Sequence, residues 1–210
     1  MRFHPASIAL VALCAPGCES RPAGDTARAD ADSATHAARS AAQPPSGQAP
    51  RDTGKVAQAL SAAPPSITQN AAVMDWPARQ GDQPLQLRAG SNGWTCFPAT
   101  PQAAGAQGED PMCLDARFAD WATAWAARTP PKGTGVGIGY MLRGDAGVSN
   151  TDPFATGPTP DNQWVRSGPH VMVVVPNVTQ LAGLPSDPKT GGPWVMWKGT
   201  PYAHLMVPVE

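Results

Sequence analysis

Three short segments near the carboxyl end each place a histidine or a tryptophan two residues before a methionine. They are His170-Val171-Met172, Trp194-Val195-Met196 and His204-Leu205-Met206. Residues two apart on a β-strand lie on the same face, so pairing of these segments would bring imidazoles and thioethers together. Such a set suits Cu(I). The candidate metal ligands are His170, Met172, Met196, His204 and Met206. The alternative is that the methionines fill an irregular core and the histidines form ordinary hydrogen bonds.

A second group of oxygen-bearing side chains lies in residues 143–168, a long segment without apolar periodicity. Segments of this length in a compact domain are usually functional or mobile, so we predict a binding surface here. Its candidate residues are Asp145, Asn150, Asp152, Asp161, Asn162 and Trp164. The carboxylate and carboxamide oxygens of the Asp and Asn residues are ligands of the kind Ca²⁺ prefers, although the spacing is not that of an EF-hand. Two further alternatives are a hydrolase that uses the loop carboxylates beside Trp164, and side chains that merely start turns.

The first eighteen residues predict export. Arg2 precedes an apolar run over residues 8–13, which is followed by the small residues before Cys18. A basic start, a short apolar run and small residues before a cleavage point are typical of a signal peptide, and the run is too short to span a bilayer. The ending resembles the lipobox of bacterial lipoproteins. We therefore predict a signal over 1–17, lipidation of Cys18, membrane attachment and a cell-envelope location; an ordinary secretory signal is the alternative.

The four cysteines then divide into two classes. Cys14 would leave with the signal and Cys18 would carry lipid, which leaves Cys96 and Cys113 as a pair. In an oxidising compartment such a pair is most simply a disulfide. The alternative, a redox-active or metal-binding thiol pair, lacks the C-x-x-C spacing that this chemistry commonly uses.

Composition separates a tether from a folded domain. Residues 18–66 are rich in Ala, Pro and Ser and have almost no large apolar side chain, so we predict a disordered tether. All seven Trp lie from Trp76 onward, which places a single globular domain at 67–210. The formal net charge of -1 gives no reason to expect a nucleic acid partner.

Within the domain the pattern predicts an α+β fold, with a mainly antiparallel sheet and one principal helix at about 110–129. Asp110 is the expected N-cap, and an apolar stripe follows it through Leu114, Phe118, Trp121 and Trp125. Short apolar runs bounded by Gly or Pro predict strands at 72–76, 85–89, 94–97, 136–142, 170–175, 193–198 and 204–209. The dipeptide at 92–93 predicts a tight hairpin between the second and third of these strands.

Six motifs spread over the domain carry a resemblance. They are GWTC at 93–96, PMCLD at 111–115, GYML at 139–142, SNTDP at 149–153, GPHVM at 168–172 and WVMWKGTPYAH at 194–204. The chain from about 87 to 209 resembles a family of bacterial secreted proteins and lipoproteins of unassigned function. The resemblance implies an envelope location and transfers no activity. Because the nucleophile-elbow, zincin and P-loop motifs are absent from the sequence, we expect a binding or structural role with an unidentified envelope ligand rather than catalysis.

Overall fold

A computed structural model describes residues 53–79, 82–100 and 110–209. The predicted signal at 1–17, the lipidation site Cys18 and the tether as far as residue 52 lie outside the described residues.

One mixed sheet of eight strands organises the described chain, in the order β2-β1-β3-β4-β5-β8-β10-β9. All neighbours are antiparallel except β1 and β3, which are parallel. A separate two-stranded sheet consists of β6 and β7. The strands are β1 Ala72–Asp75, β2 Leu85–Arg88, β3 Trp94–Phe97, β4 Met112–Asp115, β5 Gly137–Met141, β6 Val148–Ser149, β7 Trp164–Val165, β8 His170–Val174, β9 Trp194–Met196 and β10 His204–Pro208. This arrangement, with few helices, confirms the predicted α+β class.

The principal helix, which we label α3, packs on one face of the sheet over Ala116–Ala126. Its side chains Phe118 and Trp121 are buried against the inward residues of β4, β5 and β8. The alternation of glycine along β5 makes this approach possible, since a Cβ at Gly137 would lie 2.6 Å from the backbone nitrogen of Phe118. Bare backbone on that face of β5 thus lets α3 pack closely.

The opposite face is covered by helix α1, Thr53–Leu60, and by a 3-10 helix over Val178–Leu181. A short helix α2, Pro65–Thr68, connects α1 to the first strand. Ala59 is fully buried in a cluster with Val73, Cys96 and Cys113. The predicted boundary at residue 67 is therefore wrong, because residues 53–66 form part of the domain. Small alanine side chains let α1 pack closely, although the composition gives no large apolar stripe.

The principal helix also begins later than predicted. Asp115, not Asp110, is the N-cap, and its carboxylate accepts a hydrogen bond of 2.7 Å from the backbone N–H of Phe118. The residues just before it form strand β4, which the sequence pattern did not predict. The Asp110 carboxylate instead accepts hydrogen bonds from the backbone N–H and the hydroxyl of Thr100, at 2.8 and 2.9 Å. It therefore joins Thr100 to Asp110; residues 101–109 between them lie outside the described residues.

The hairpin predicted at 92–93 is wrong as well. Strand β2 pairs with β1 and not with β3, because β1 lies between them and runs parallel to β3. The Asn92 side chain turns the chain by donating to the Ile67 carbonyl and accepting from the Trp94 backbone N–H. Gly93 takes a left-handed conformation, with φ 78°, that glycine adopts without strain. Asn92 and Gly93 therefore do turn the chain, as predicted, but β3 after them pairs with β1 and β4 instead of with β2.

The predicted disulfide between Cys96 and Cys113 is confirmed. The two residues lie directly opposite each other on β3 and β4, with a Cα–Cα distance of 4.0 Å and both side chains fully buried. Closing a loop of this size restricts the unfolded chain and stabilises the fold by roughly 3 kcal/mol.

Candidate functional site

The predicted binding surface at 143–168 is an ordered layer built around the β6–β7 hairpin. Trp197 anchors this layer by donating from Nε1 to the Ser149 carbonyl at 2.7 Å and from its backbone N–H to the Asn150 carbonyl at 2.9 Å. Trp125 on α3 donates to the Pro153 carbonyl at 3.0 Å. The segment is thus attached to both the principal helix and the end of β9.

The Asp and Asn side chains of this segment are used by its own turns. Asp145 accepts from the backbone N–H groups of Gly147 and Ser167, and Asp152 accepts from that of Phe154. The side chain of buried Asn162 accepts from the Thr159 backbone N–H and donates to the Gly157 carbonyl, whereas Asp161 is exposed. These contacts match the alternative in which the residues start turns.

Two other candidates of the surface have structural contacts. Buried Asn150 donates to the Ser186 carbonyl at 2.9 Å and to Gln163 at 3.2 Å. Trp164 lies half-buried with its ring against Gly147, where a Cβ would come within 2.5 Å of its Nε1. Among residues 53–79, 82–100 and 110–209, no group of three His, Cys, Asp or Glu side chains is placed to hold a metal ion.

The His/Met candidates share one buried face of the sheet but do not meet at one point. Met206 lies opposite Met172 on β8 and opposite Trp194 on β9, and His204 lies opposite Met196. His170, by contrast, pairs with Pro208, four residues along β10 from His204. At about 3.3 Å per residue the two histidine backbones are separated by roughly 13 Å along the strands.

The Met172 side chain points toward β5. Its terminal methyl lies over the bare backbone of β5, where a Cβ at Gly139 would approach it to 3.0 Å beside Leu114 and Phe118. This methionine therefore fills the space left by glycine, as the core-packing alternative predicts.

Two ring nitrogens on this face are buried without a hydrogen-bond partner among the described residues: Nε2 of His170 and Nε1 of Trp194. Only the imidazole nitrogen of His170 can offer a lone pair, because the indole Nε1–H of Trp194 is a donor. The Nδ1 of His170 lies 2.7 Å from the Gly168 carbonyl, and the side chain is only 1% exposed. Since Nδ1 next to a carbonyl carries the proton, Nε2 presents a lone pair. Burial lowers the pKa of His170, so the ring stays neutral, and Met141 lies directly across from it on β5.

His204 is enclosed by aromatic rings. The rings of Trp121 and Trp197 stand edge-on to it, with centroid distances of 5.2 and 4.9 Å. Its Nδ1 lies 3.1 Å from the Tyr202 carbonyl, and full burial lowers its pKa to about 4. This histidine is a neutral packing residue in the aromatic cluster.

Sequence reasoning missed a cleft at the beginning of α3. It has a volume of about 190 Å³ and lies between the first turn of the helix, the segment before β5 and the end of β8. Its walls include Arg117, Trp121, Gly135, Asn177 and Pro201. Four separate parts of the chain form it, so no local pattern could reveal it.

No family model matches the chain, and neither a curated protein nor a solved structure matches it. Within the part of the chain that the structure describes, no helix has the length and apolar character needed to cross a bilayer. The buried disulfide indicates an oxidising, extracytoplasmic compartment.

Proposed function

We propose that this chain is an exported protein of the bacterial cell envelope, lipid-anchored through Cys18, with a binding rather than an enzymatic role. The observation that carries the proposal is the fully buried disulfide of Cys96 and Cys113, since such bonds persist in oxidising compartments. The signal-like residues 1–17 and the resemblance to secreted bacterial proteins agree with it. A binding role fits the rigid, internally bonded segment 143–168, in which Asp145 and Asp152 serve turns.

Metabolic labelling with a palmitate analogue tests the anchor. We expect label on the wild-type protein and none on Cys18→Ala, with Cys14→Ala as the matched control because that residue lies inside the predicted signal. Fractionation should place the wild type with membranes and Cys18→Ala in the soluble envelope fraction. An unlabelled wild type, or equal label on Cys18→Ala, would refute lipid anchoring.

A second candidate function is Cu(I) binding at His170. We propose it because the Nε2 of His170 is buried without a partner, while Nδ1 is fixed by a backbone carbonyl. A backbone acceptor on the other ring nitrogen is the usual support of a metal-ligating histidine. Met141 opposite it and Met206, diagonal to it on β10, supply thioethers on the same face.

Competition with a chromophoric Cu(I) chelator separates this function from core packing. We expect His170→Ala and Met206→Leu each to weaken Cu(I) binding, and Met74→Leu, a half-buried methionine on β1, to leave it unchanged. His204→Ala should also leave it unchanged, because its ring lies among tryptophans. Equal Cu(I) affinity in wild type and His170→Ala would rule the function out.

A further inference from the structure

The cleft at the beginning of α3 contains a cation whose charge is not matched. Arg117 lies in the first turn of the helix with its side chain exposed, and no hydrogen bond or ion pair to it is found among residues 53–79, 82–100 and 110–209. None of the described lining residues is acidic. An arginine at this end of a helix also lies near the positive end of the helix dipole, which favours an anion there.

Gly135 fixes where this guanidinium lies. A Cβ at Gly135 would be 2.1 Å from Nη1 and 2.5 Å from Cζ of Arg117, so the group packs directly against bare backbone. Because the obstacle is the far end of a flexible side chain, an alanine at 135 would displace the guanidinium without disturbing the backbone. The position of the Arg117 guanidinium on α3 therefore depends on Gly135, which lies in the segment before β5.

Trp121 and three prolines, Pro131, Pro176 and Pro201, line the cleft beside Arg117 and Asn177, and glycine backbone forms part of its wall. The cleft is open to solvent, since Arg117, Asn177 and Pro201 are exposed. Arginine binds carboxylates through two parallel N–H groups, and the tryptophan and the prolines offer apolar contact area next to that charge. The volume of about 190 Å³ is below the roughly 300–1,000 Å³ of sites for drug-sized ligands.

We infer that this cleft binds a small organic carboxylate with an apolar body, of about the size of a single amino acid. The Arg117 guanidinium holds the carboxylate, and Trp121 with the three prolines contacts the apolar part. The inference rests on the proposed binding role and names its ligand class. It is independent of the anchor, because loss of carboxylate binding would leave labelling at Cys18 unaffected.

Benzoate and its uncharged counterpart benzamide are suitable probes, measured by NMR through the indole N–H signal of Trp121 in the exported protein. We expect benzoate to bind the wild type about tenfold more tightly than benzamide, because only the carboxylate forms a charge-assisted pair with Arg117. Arg117→Gln should remove this preference.

Gly135→Ala provides the second test, since it moves the guanidinium while leaving Arg117 in place. We expect this variant to unfold like the wild type and to bind benzoate several-fold more weakly. Arg79→Gln, an exposed arginine in the β1–β2 connection, is the matched control and should bind like the wild type. Equal affinity for benzoate and benzamide, or full benzoate binding by Arg117→Gln, would overturn the inference.

Discussion

His204 shows how a single buried side chain couples this fold to pH. The ring is enclosed by Trp121 and Trp197, and full burial lowers its pKa to about 4 from an ordinary value of 6.5. Above pH 6.5 the ring is neutral in both the folded and the unfolded chain. Between pH 6.5 and 4 the His204 ring is protonated in the unfolded chain but stays neutral in the folded chain. The free energy of unfolding therefore decreases as the pH is lowered through this range.

We expect this residue to remove about 3 kcal/mol from the free energy of unfolding between pH 7 and pH 4, at about 1.4 kcal/mol for each pH unit. Urea unfolding at several pH values measures the slope. In His204→Leu the fall should be shallower by that amount; the remaining slope includes His170, whose pKa burial lowers as well, and Asp110, whose pKa burial raises. An unchanged slope in His204→Leu would show that the ring accepts its proton in the folded state.

Trp197 is a second residue with unusual surroundings, because its backbone adopts a conformation that is rare for tryptophan. Its backbone has φ 54°, a left-handed conformation that is unfavourable for a bulky residue. The side chain stacks on Trp121 and Trp125 at 6.0 and 5.7 Å, and its Nε1 bonds to the Ser149 carbonyl. These contacts hold the backbone in place, since strained conformations persist where the surroundings over-determine them.

At the scale of elements, the contact between α3 and β5 depends on glycine. We expect Gly137→Ala to lower the free energy of unfolding by about 1–3 kcal/mol, because its Cβ would meet the backbone of Phe118 and force the helix outward. Gly133→Ala is the matched control: nothing lies within 4 Å of its Cβ position, so its stability should stay within about 0.5 kcal/mol of the wild type. Urea midpoints compare the two variants, and equal midpoints would contradict the close contact.

The elements that the sequence predicted are those with strong local signals. The seven proposed strands all form within one or two residues of their predicted bounds, and the stripe of Phe118 and Trp121 faces the core. Strand β4 was missed because Leu114 continues the helical stripe by chance of spacing, so that a strand and the helix after it read as one helix. Helix α1 was missed because it packs through alanines such as Ala59.

The candidate sites were harder to predict, because they depend on register. Alternation along each strand correctly placed the His/Met residues on one face, but their separation follows from how β8 aligns with β10. The cleft at Arg117 joins positions far apart in the chain, including Asn177 and Pro201. Local patterns carry no information about such long-range alignment.

At the scale of the whole molecule, the folded unit extends further toward the amino terminus than composition indicates. Lys55 forms an ion pair of 2.7 Å with Asp75 on β1, and the backbone N–H of Leu142 donates to the Ala62 carbonyl at 3.0 Å. Residues 53–66 thus contact both β1, the second strand of the sheet, and the end of β5 in its middle.

We expect a shortened chain that begins at residue 67 to be about 2–4 kcal/mol less stable than one that begins at 53, since each 100 Å² of uncovered apolar surface costs about 2.5 kcal/mol. Chemical denaturation of the two shortened chains measures the difference. Ala59→Asp in the full chain should destabilise in the same direction, whereas Ala57→Asp, on an exposed position of the same helix, should be nearly neutral. Equal stability of the two shortened chains would show that α1 contributes no free energy.

The position of α1 over the disulfide has a kinetic consequence. Thiol–disulfide exchange requires an attacking thiolate to reach a sulfur, and the Sγ of Cys113 lies 3.6 Å from the Ala59 carbonyl beneath the helix. A reductant in solution must therefore wait until α1 leaves the sheet. The rate at which this bond is reduced under native conditions therefore measures how often α1 opens. Destabilising α1 should increase that rate without altering the sheet beneath it.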